Sequence, residues 1–216
     1  MGIKKSYAVV GLGRYGFSVA RELVSVGADV LAIDSSESVI NMAATELPYC
    51  KCADITDPEV IKRLGIASID VVVIAMAHNL EASVLAVMLC KEAGVKTVIA
   101  KCSSEMNMKI LRKVGADKVV FPENESGIRL AKNLLSSGFV DVIDLSREVS
   151  LVELEVKPEW VGKSLVDLNL RKKYSVNVVA IREGDRLVTS IDPYAPLAEG
   201  SQIVIITSTS TLAKLR

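Results

Sequence analysis

The chain has 216 residues, half of them apolar, enough to bury one good core and a smaller second one, so one or two domains are expected. Lys plus Arg and Asp plus Glu each number 26, and the resulting zero formal net charge removes the usual electrostatic footprint of a nucleic-acid binder. No apolar run reaches the roughly 18 residues needed to span a bilayer, Met-Gly-Ile-Lys-Lys-Ser leads straight into a strand with no cleavable signal, and few aromatic residues are available for base stacking, so a cytosolic protein is expected.

The first elements form a βαβ pattern. An apolar strand (Tyr7 to Val10) meets the turn Gly11-Leu-Gly13-Arg14-Tyr15-Gly16, a helix runs to about Val26, and a second apolar strand (Val30 to Ile33) ends at Asp34. GxGxxG alone is a weak signal, but here it lies between strand and helix, with Asp34 21 residues beyond Gly13. Gly11 permits the tight turn, Gly13 lets backbone approach a pyrophosphate, and Gly16 lets helix and strand pack closely. Phosphates then meet free N–H groups at the positive end of the helix. Asp34, with Ser35 beside it, can accept the ribose hydroxyls and would repel a 2′-phosphate, which disfavours NADP.

The alternation continues. A capped helix is expected over Ser36 to Thr45, a strand over Tyr49 to Cys52, and a helix opening at Asp54-Ile-Thr-Asp57-Pro58 and running through Leu64. Asp70 to Ala75 is a continuous apolar run, as suits a parallel strand covered on both faces. A helix over Asn79 to Ala93, a strand over Lys96 to Ala100, a helix over Ser103 to Val114 and a strand over Lys118 to Phe121 complete six strands. The expected fold is α/β, a Rossmann-type doubly wound parallel sheet. Glu123 to Ser136 reads as a further amphipathic helix carrying Ile128, Ala131, Leu134 and Leu135 on one side, either packed on its own sheet or reaching to a partner. Cys50, Cys52, Cys90 and Cys102 suit neither a redox pair nor a zinc knuckle and are expected to be buried thiols.

From Phe139 the period changes. Residues 141–148 are polar and mixed and read as a linker between a domain over 1–140 and a second over 149–216. Ser150 to Val156 alternates as a half-buried strand, Pro158 to Ser164 turns into a short helix over Leu165 to Leu168, and strands follow near Val176 to Arg182, Arg186 to Thr189 and Gln202 to Thr207. Glu183-Gly184-Asp185 suits a hairpin turn. This small α+β unit has a thin core and stands to gain stability by oligomerising.

In the nucleotide unit, Arg14 can fork onto a terminal phosphate. A charge-assisted bond of roughly 1.5–3 kcal/mol would favour a triphosphate over a diphosphate by about ten- to a hundredfold; the alternative is a solvated surface arginine. Further contacts are expected at strand ends: Asp54 and Ile55 after the third strand, Ala75, Met76 and Ala77 after the fourth, and Lys101 after the fifth. Asp54 serves equally well as a helix cap, and His78, the single histidine, reads as a polar loop residue. Hydride chemistry needs an acid/base set and usually a substrate domain. With neither visible, the nucleotide reads as a signal, against the alternatives of a small NAD-dependent oxidoreductase or a redox sensor.

These residues resemble a known family. Ala8-Val-Val-Gly-Leu-Gly-Arg14-Tyr-Gly, Leu31-Ala-Ile-Asp34, Asn79-Leu-Glu-Ala-Ser83, Val114-Gly-Ala-Asp117, Phe121-Pro-Glu123 and Ile143-Asp-Leu-Ser146, then Val161-Gly-Lys-Ser-Leu165, Asp167 to Arg171, Tyr174 and Val178 to Ile181, are similar in order to the cytosolic gating subunits of Ktr/Trk potassium uptake systems. Those proteins join an RCK N-terminal (TrkA-N) to an RCK C-terminal (TrkA-C) domain. The resemblance implies a non-enzymatic subunit, a homodimer with the helix at Glu123 exchanging contacts, and dimers closing into an octameric ring. It also implies a place beneath a membrane-embedded potassium-translocating subunit, at the inner face of the cell membrane. It implies ATP or ADP at the glycine turn, with NAD or NADH in other branches, Arg14 sensing the γ-phosphate, Asp34 on the ribose, and Glu123 holding Mg²⁺ or Ca²⁺ near the phosphates. Leu165, Arg171, Asn177 and Pro193 fall where Ktr-type subunits bind cyclic di-AMP, although Thr189-Ser-Ile-Asp-Pro193 departs from the usual shorter approach to that proline.

Overall fold

A computed structural model describes residues 5–76, 79–135, 139–146 and 148–212. The first half alternates β1 (Ser6–Val10), α1 (Arg14–Ser25), β2 (Asp29–Asp34), α2 (Glu37–Ala43), β3 (Cys50–Cys52), α3 (Pro58–Arg63), β4 (Val71–Ile74), α4 (Leu80–Glu92), β5 (Thr97–Lys101), α5 (Glu105–Val114) and β6 (Lys118–Val120). All six strands are parallel in the order β3-β2-β1-β4-β5-β6. β4 is buried along its whole length because helices cover both faces of the sheet. One apolar layer gathers Ile33, Ile74, Val87, Val98 and Leu111, the other Val9, Ala20, Val30 and Val73. Burying each such side chain contributes about 1.5–3 kcal/mol. The strand order reverses between β2-β1 and β4-β5-β6, so a crevice opens beyond the carboxyl ends of β1 and β4, where open α/β sheets take their ligands.

Helix starts follow from sequence. Ser36, Asp57, Asn79 and Ser104 each accept a first-turn N–H of α2 to α5, and Pro58 occupies the first turn of α3, where its missing N–H costs nothing. Asp57, not Asp54, caps α3. Two thiols depart from expectation: Cys90 and Cys102 are buried, but Cys50 is only part-buried and Cys52 is exposed, because β3 is the short edge strand of its sheet.

The chain divides into two compact units between Glu123 and Asn124. α6 (Pro122–Leu135) starts two residues before that division and runs on into the second unit. Ile128, Leu130 and Leu134 are 49%, 59% and 77% exposed on it, so these apolar side chains face solvent in the single chain. The expectation for Leu135 and Ser136 lies outside the described side chains and residues.

The second unit holds β7 (Phe139–Asp144), β8 (Val149–Glu155), α7 (Leu165–Leu168), α8 (Leu170–Tyr174), β9 (Asn177–Glu183), β10 (Arg186–Val188), β11 (Gln202–Ser208) and α9 (Thr209–Leu212). Its antiparallel order is β10-β9-β11-β8-β7. One face, with Val142, Val152, Leu154, Ile203 and Ile205, packs with Trp160, Leu168 and Leu170. The linker expected over 141–148 is corrected here: Asp141 to Asp144 belong to β7 and pair with β8 from Glu153 to Ser150. The aspartates that made the run look like a linker sit on an edge strand, where charge blunts further pairing. Asn133 of α6 donates to the Asp141 carboxylate at 2.7 Å and accepts the Val142 N–H at 3.1 Å. The unexpected α8 is bracketed by Asn169 and Ser175 at φ +48° and +56°. Gly184, at φ +58°, and Asp185 form the two-residue link from β9 to β10.

Candidate nucleotide site

The turn after β1 is shaped by its glycines. Gly11 lies at φ +85°, and a Cβ there would stand 2.8 Å from Met76 Cγ. A Cβ on Gly16 would lie 1.9 Å from the Gly11 carbonyl oxygen, so α1 sits against β1 only because position 16 lacks a side chain. A Cβ on Gly13 would meet nothing within 4 Å, and its backbone is in a region open to any residue (φ −63°, ψ −176°). Gly13 is also the N-cap of α1 and supplies no side-chain cap, so α1 differs from α2 to α5 in leaving its first-turn N–H groups without a capping side chain.

Asp34 ends β2 beside this turn. Its Oδ2 accepts the Leu12 N–H at 2.7 Å and its Oδ1 accepts the Ser36 N–H at 2.9 Å. Gly11, Asp34, Ser35, Asp54, Ile55 and Met76 line one cleft of about 340 Å³, together with Thr56 and Asn79. Asp54 Oδ1 accepts the Thr56 N–H at 2.9 Å and its hydroxyl at 2.7 Å. The backbone bond first and the hydroxyl second hold the Asp54 carboxyl below its ordinary range. Ala75 closes onto β1 through its N–H to the Val10 carbonyl. The buried Ser83 hydroxyl donates to the Met76 and Asn79 carbonyls, fixing the chain beyond β4. Ala77 and His78 lie outside the described residues.

Three expected residues gather on the other side of the turn. The Lys101 side chain, 10% exposed, ends β5 with its Nζ 2.6 Å from Glu123 Oε1 and 5.5 Å from the centre of the Tyr15 ring. Arg14, the exposed first residue of α1, lines neither set. It borders a groove of about 470 Å³ between α1 and α2 with Phe17, Val39 and Met42. Thr56 and Asn79 in the cleft and Ser83 behind it are not among the contacts expected from the sequence; their place just beyond Asp54 and Met76 at the strand ends is the signal that points to the first two.

In one chain the residues do not fit a divalent cation. Glu123 is held by an ammonium, and among the described residues no three His, Cys, Asp or Glu side chains stand close enough to share a metal.

In the second unit, Leu165 opens α7 behind a capping box in which Ser164 and Asp167 exchange hydrogen bonds. The Val166 N–H donates to the Pro193 carbonyl at 3.1 Å, bringing Leu165 and Pro193 side by side. Arg171 is exposed on α8, and Asn177 is exposed at the start of β9, across the left-handed Ser175.

Comparison with known proteins matches the TrkA-N domain over residues 7–122 and the TrkA-C domain over 149–216. The Ktr system potassium uptake protein C of Bacillus subtilis (strain 168) is 35% identical over 212 residues, covering 98% of this chain and 96% of that protein. The Ktr system potassium uptake protein A of the same organism is 34% identical over 202 residues, covering 94% and 91%. Among solved structures, the GsuK channel bound to NAD superposes with a TM-score of 0.67 at 16% identity, over 99% of this chain and 39% of that one. That likeness is one of fold, and this chain spans well under half of the channel's length.

Proposed function

We propose, from the premise that this chain belongs to the TrkA-N/TrkA-C family of Ktr and Trk potassium uptake proteins, that it is a regulatory subunit which takes an adenine nucleotide at the glycine turn as a signal. The observation that carries this reading is the uncapped start of α1 at the strand-order reversal. Its N–H groups and helix dipole suit phosphates, and the adjoining cleft offers Asp34 to a ribose. ATP or ADP is the preferred ligand, with NAD or NADH the second reading, since the turn and Asp34 suit either class.

Arg14 is the proposed reader of a third phosphate. It is the first residue of α1 and is exposed, next to the first-turn N–H groups proposed to meet the phosphates. Lys101 is the proposed phosphate contact on the other side. A Mg²⁺ or Ca²⁺ ion at Glu123 would need its remaining oxygen ligands from the nucleotide and a second subunit. The exposed Ile128, Leu130 and Leu134 of α6 support a homodimer as the unit of assembly, with an octameric ring beneath a membrane-embedded potassium-translocating subunit as the larger proposal. No helix among the described residues is long and apolar enough to cross a membrane. Cyclic di-AMP at Leu165, Arg171, Asn177 and Pro193 is proposed for the second unit. Two ligand-dependent shapes, each favoured by a different nucleotide, would couple binding to the transporter.

Mass spectrometry of ligand released from the purified protein, followed by titration of ATP, ADP and NADH, tests the reading. An adenine nucleotide recovered and rebound is expected; a protein that binds none of the three would sink it.

A further inference from the structure

The end of β2 holds the glycine turn by two consecutive contacts. The Gly11 N–H donates to the Ile33 carbonyl at 2.8 Å, and the next N–H, of Leu12, donates to the Asp34 carboxylate at 2.7 Å. The other carboxylate oxygen is taken by the Ser36 N–H at 2.9 Å, so the side chain is clamped between the turn and the start of α2. A residue that only read a ribose would need neither bond. Bonds of this type, from N–H to an ionised carboxylate, are the stronger class. The Leu12 N–H is therefore committed to protein. Gly13 has no side chain to hold α1's first turn, and Gly11 is at a φ that only glycine adopts freely, so the turn draws its shape from these outside contacts.

We propose that Asp34 is a positioning residue for the phosphate-facing turn, in addition to any role as a ribose acceptor. Removing its carboxylate then weakens ligands that carry phosphates but no ribose hydroxyls. This rests on the reading of the turn as a nucleotide site, and the test separates the two.

Titrate ATP and 2′,3′-dideoxy-ATP against wild type, Asp34→Ala and Asp34→Asn. In parallel, measure amide hydrogen exchange at Leu12 by NMR without ligand, with thermal unfolding as the check on folding. A positioning role predicts that Asp34→Ala loses about tenfold in affinity for dideoxy-ATP as well as for ATP. It also predicts that Leu12 exchanges at least about tenfold faster in Asp34→Ala. Asp34→Asn, which keeps one carbonyl acceptor, should fall between. Unchanged dideoxy-ATP affinity in Asp34→Ala would make Asp34 a ribose reader only, and an unchanged Leu12 exchange rate would equally overturn the proposal. Failure of wild type to bind either nucleotide would count against the nucleotide site, while the Leu12 measurement would still decide the positioning role.

Discussion

Replacing Gly13 and Gly16 by alanine, one at a time, separates the glycine proposed to face a phosphate from the one that lets α1 pack. At Gly13 the new methyl meets no protein atom within 4 Å and the backbone suits alanine. Reduced freedom of the unfolded chain contributes about 0.4–1 kcal/mol of stability, and the poorer N-cap offsets it by a few tenths to about 1 kcal/mol. Gly13→Ala should therefore unfold within about 4 °C of wild type. A phosphate lying on the turn would collide with that methyl, so ATP and ADP affinity should fall at least about tenfold, or ~1.4 kcal/mol. Gly16→Ala behaves in the opposite way. Its methyl would lie 1.9 Å from the Gly11 carbonyl oxygen, which forces α1 off β1. Overpacking of this kind costs about 1–3 kcal/mol or more, a fall of roughly 2–12 °C. Calorimetric unfolding and isothermal titration of both variants check the pair. Wild-type nucleotide affinity in Gly13→Ala would mean that no phosphate lies on the turn, and wild-type stability in Gly16→Ala would refute the packing argument.

Arg14→Ala should leave the melting temperature unchanged, because the side chain is exposed, and should cut ATP-over-ADP discrimination by about ten- to a hundredfold; an unchanged ratio in paired titrations would remove Arg14 from the third-phosphate role. Asp117 accepts the Val98 N–H at 2.7 Å and pairs with Lys91 at 3.0 Å, and the backbone bond above all lowers its carboxyl from the ordinary 3.8. A depressed folded value stabilises above the ordinary one and is lost as pH falls through the folded one. Urea unfolding should therefore show wild type weakening below about pH 4, with a shallower slope for Asp117→Asn; equal slopes would contradict this. Burial pushes the Cys90 thiol up to about 12, whereas Cys52 is exposed. A thiol reagent should label native Cys52 readily and Cys90 only on unfolding, and comparable native rates would show that Cys90 is not sealed.

The parallel sheet was legible because both-face burial leaves an unbroken apolar run such as Val71 to Ile74, and because helices between strands carry caps and periodicity. β7 was not legible, since an edge strand tolerates Asp141 and Asp144 and so reads as polar linker. α8 was missed because five residues between two left-handed turns are too few to display a helical period. Ahead of α3, Pro58 at the first turn was the available signal that Asp57 is the cap, freeing Asp54 for the cleft. At the site, strand ends point to a shared crevice whatever their separation along the chain, which is why Asp34, Asp54 and Met76 were found together. Side-chain pairing is another matter: the Lys101–Glu123 contact across 22 residues does not follow from spacing.

Under the proposed function the bound nucleotide acts as a signal by favouring one of two shapes. Titration of ATP and ADP against the purified protein, with small-angle scattering recorded at saturation by each, reads both halves of that proposal. Affinities should differ by at least about tenfold and the two scattering profiles should be distinct; equal affinities with superimposable profiles would rule the switch out.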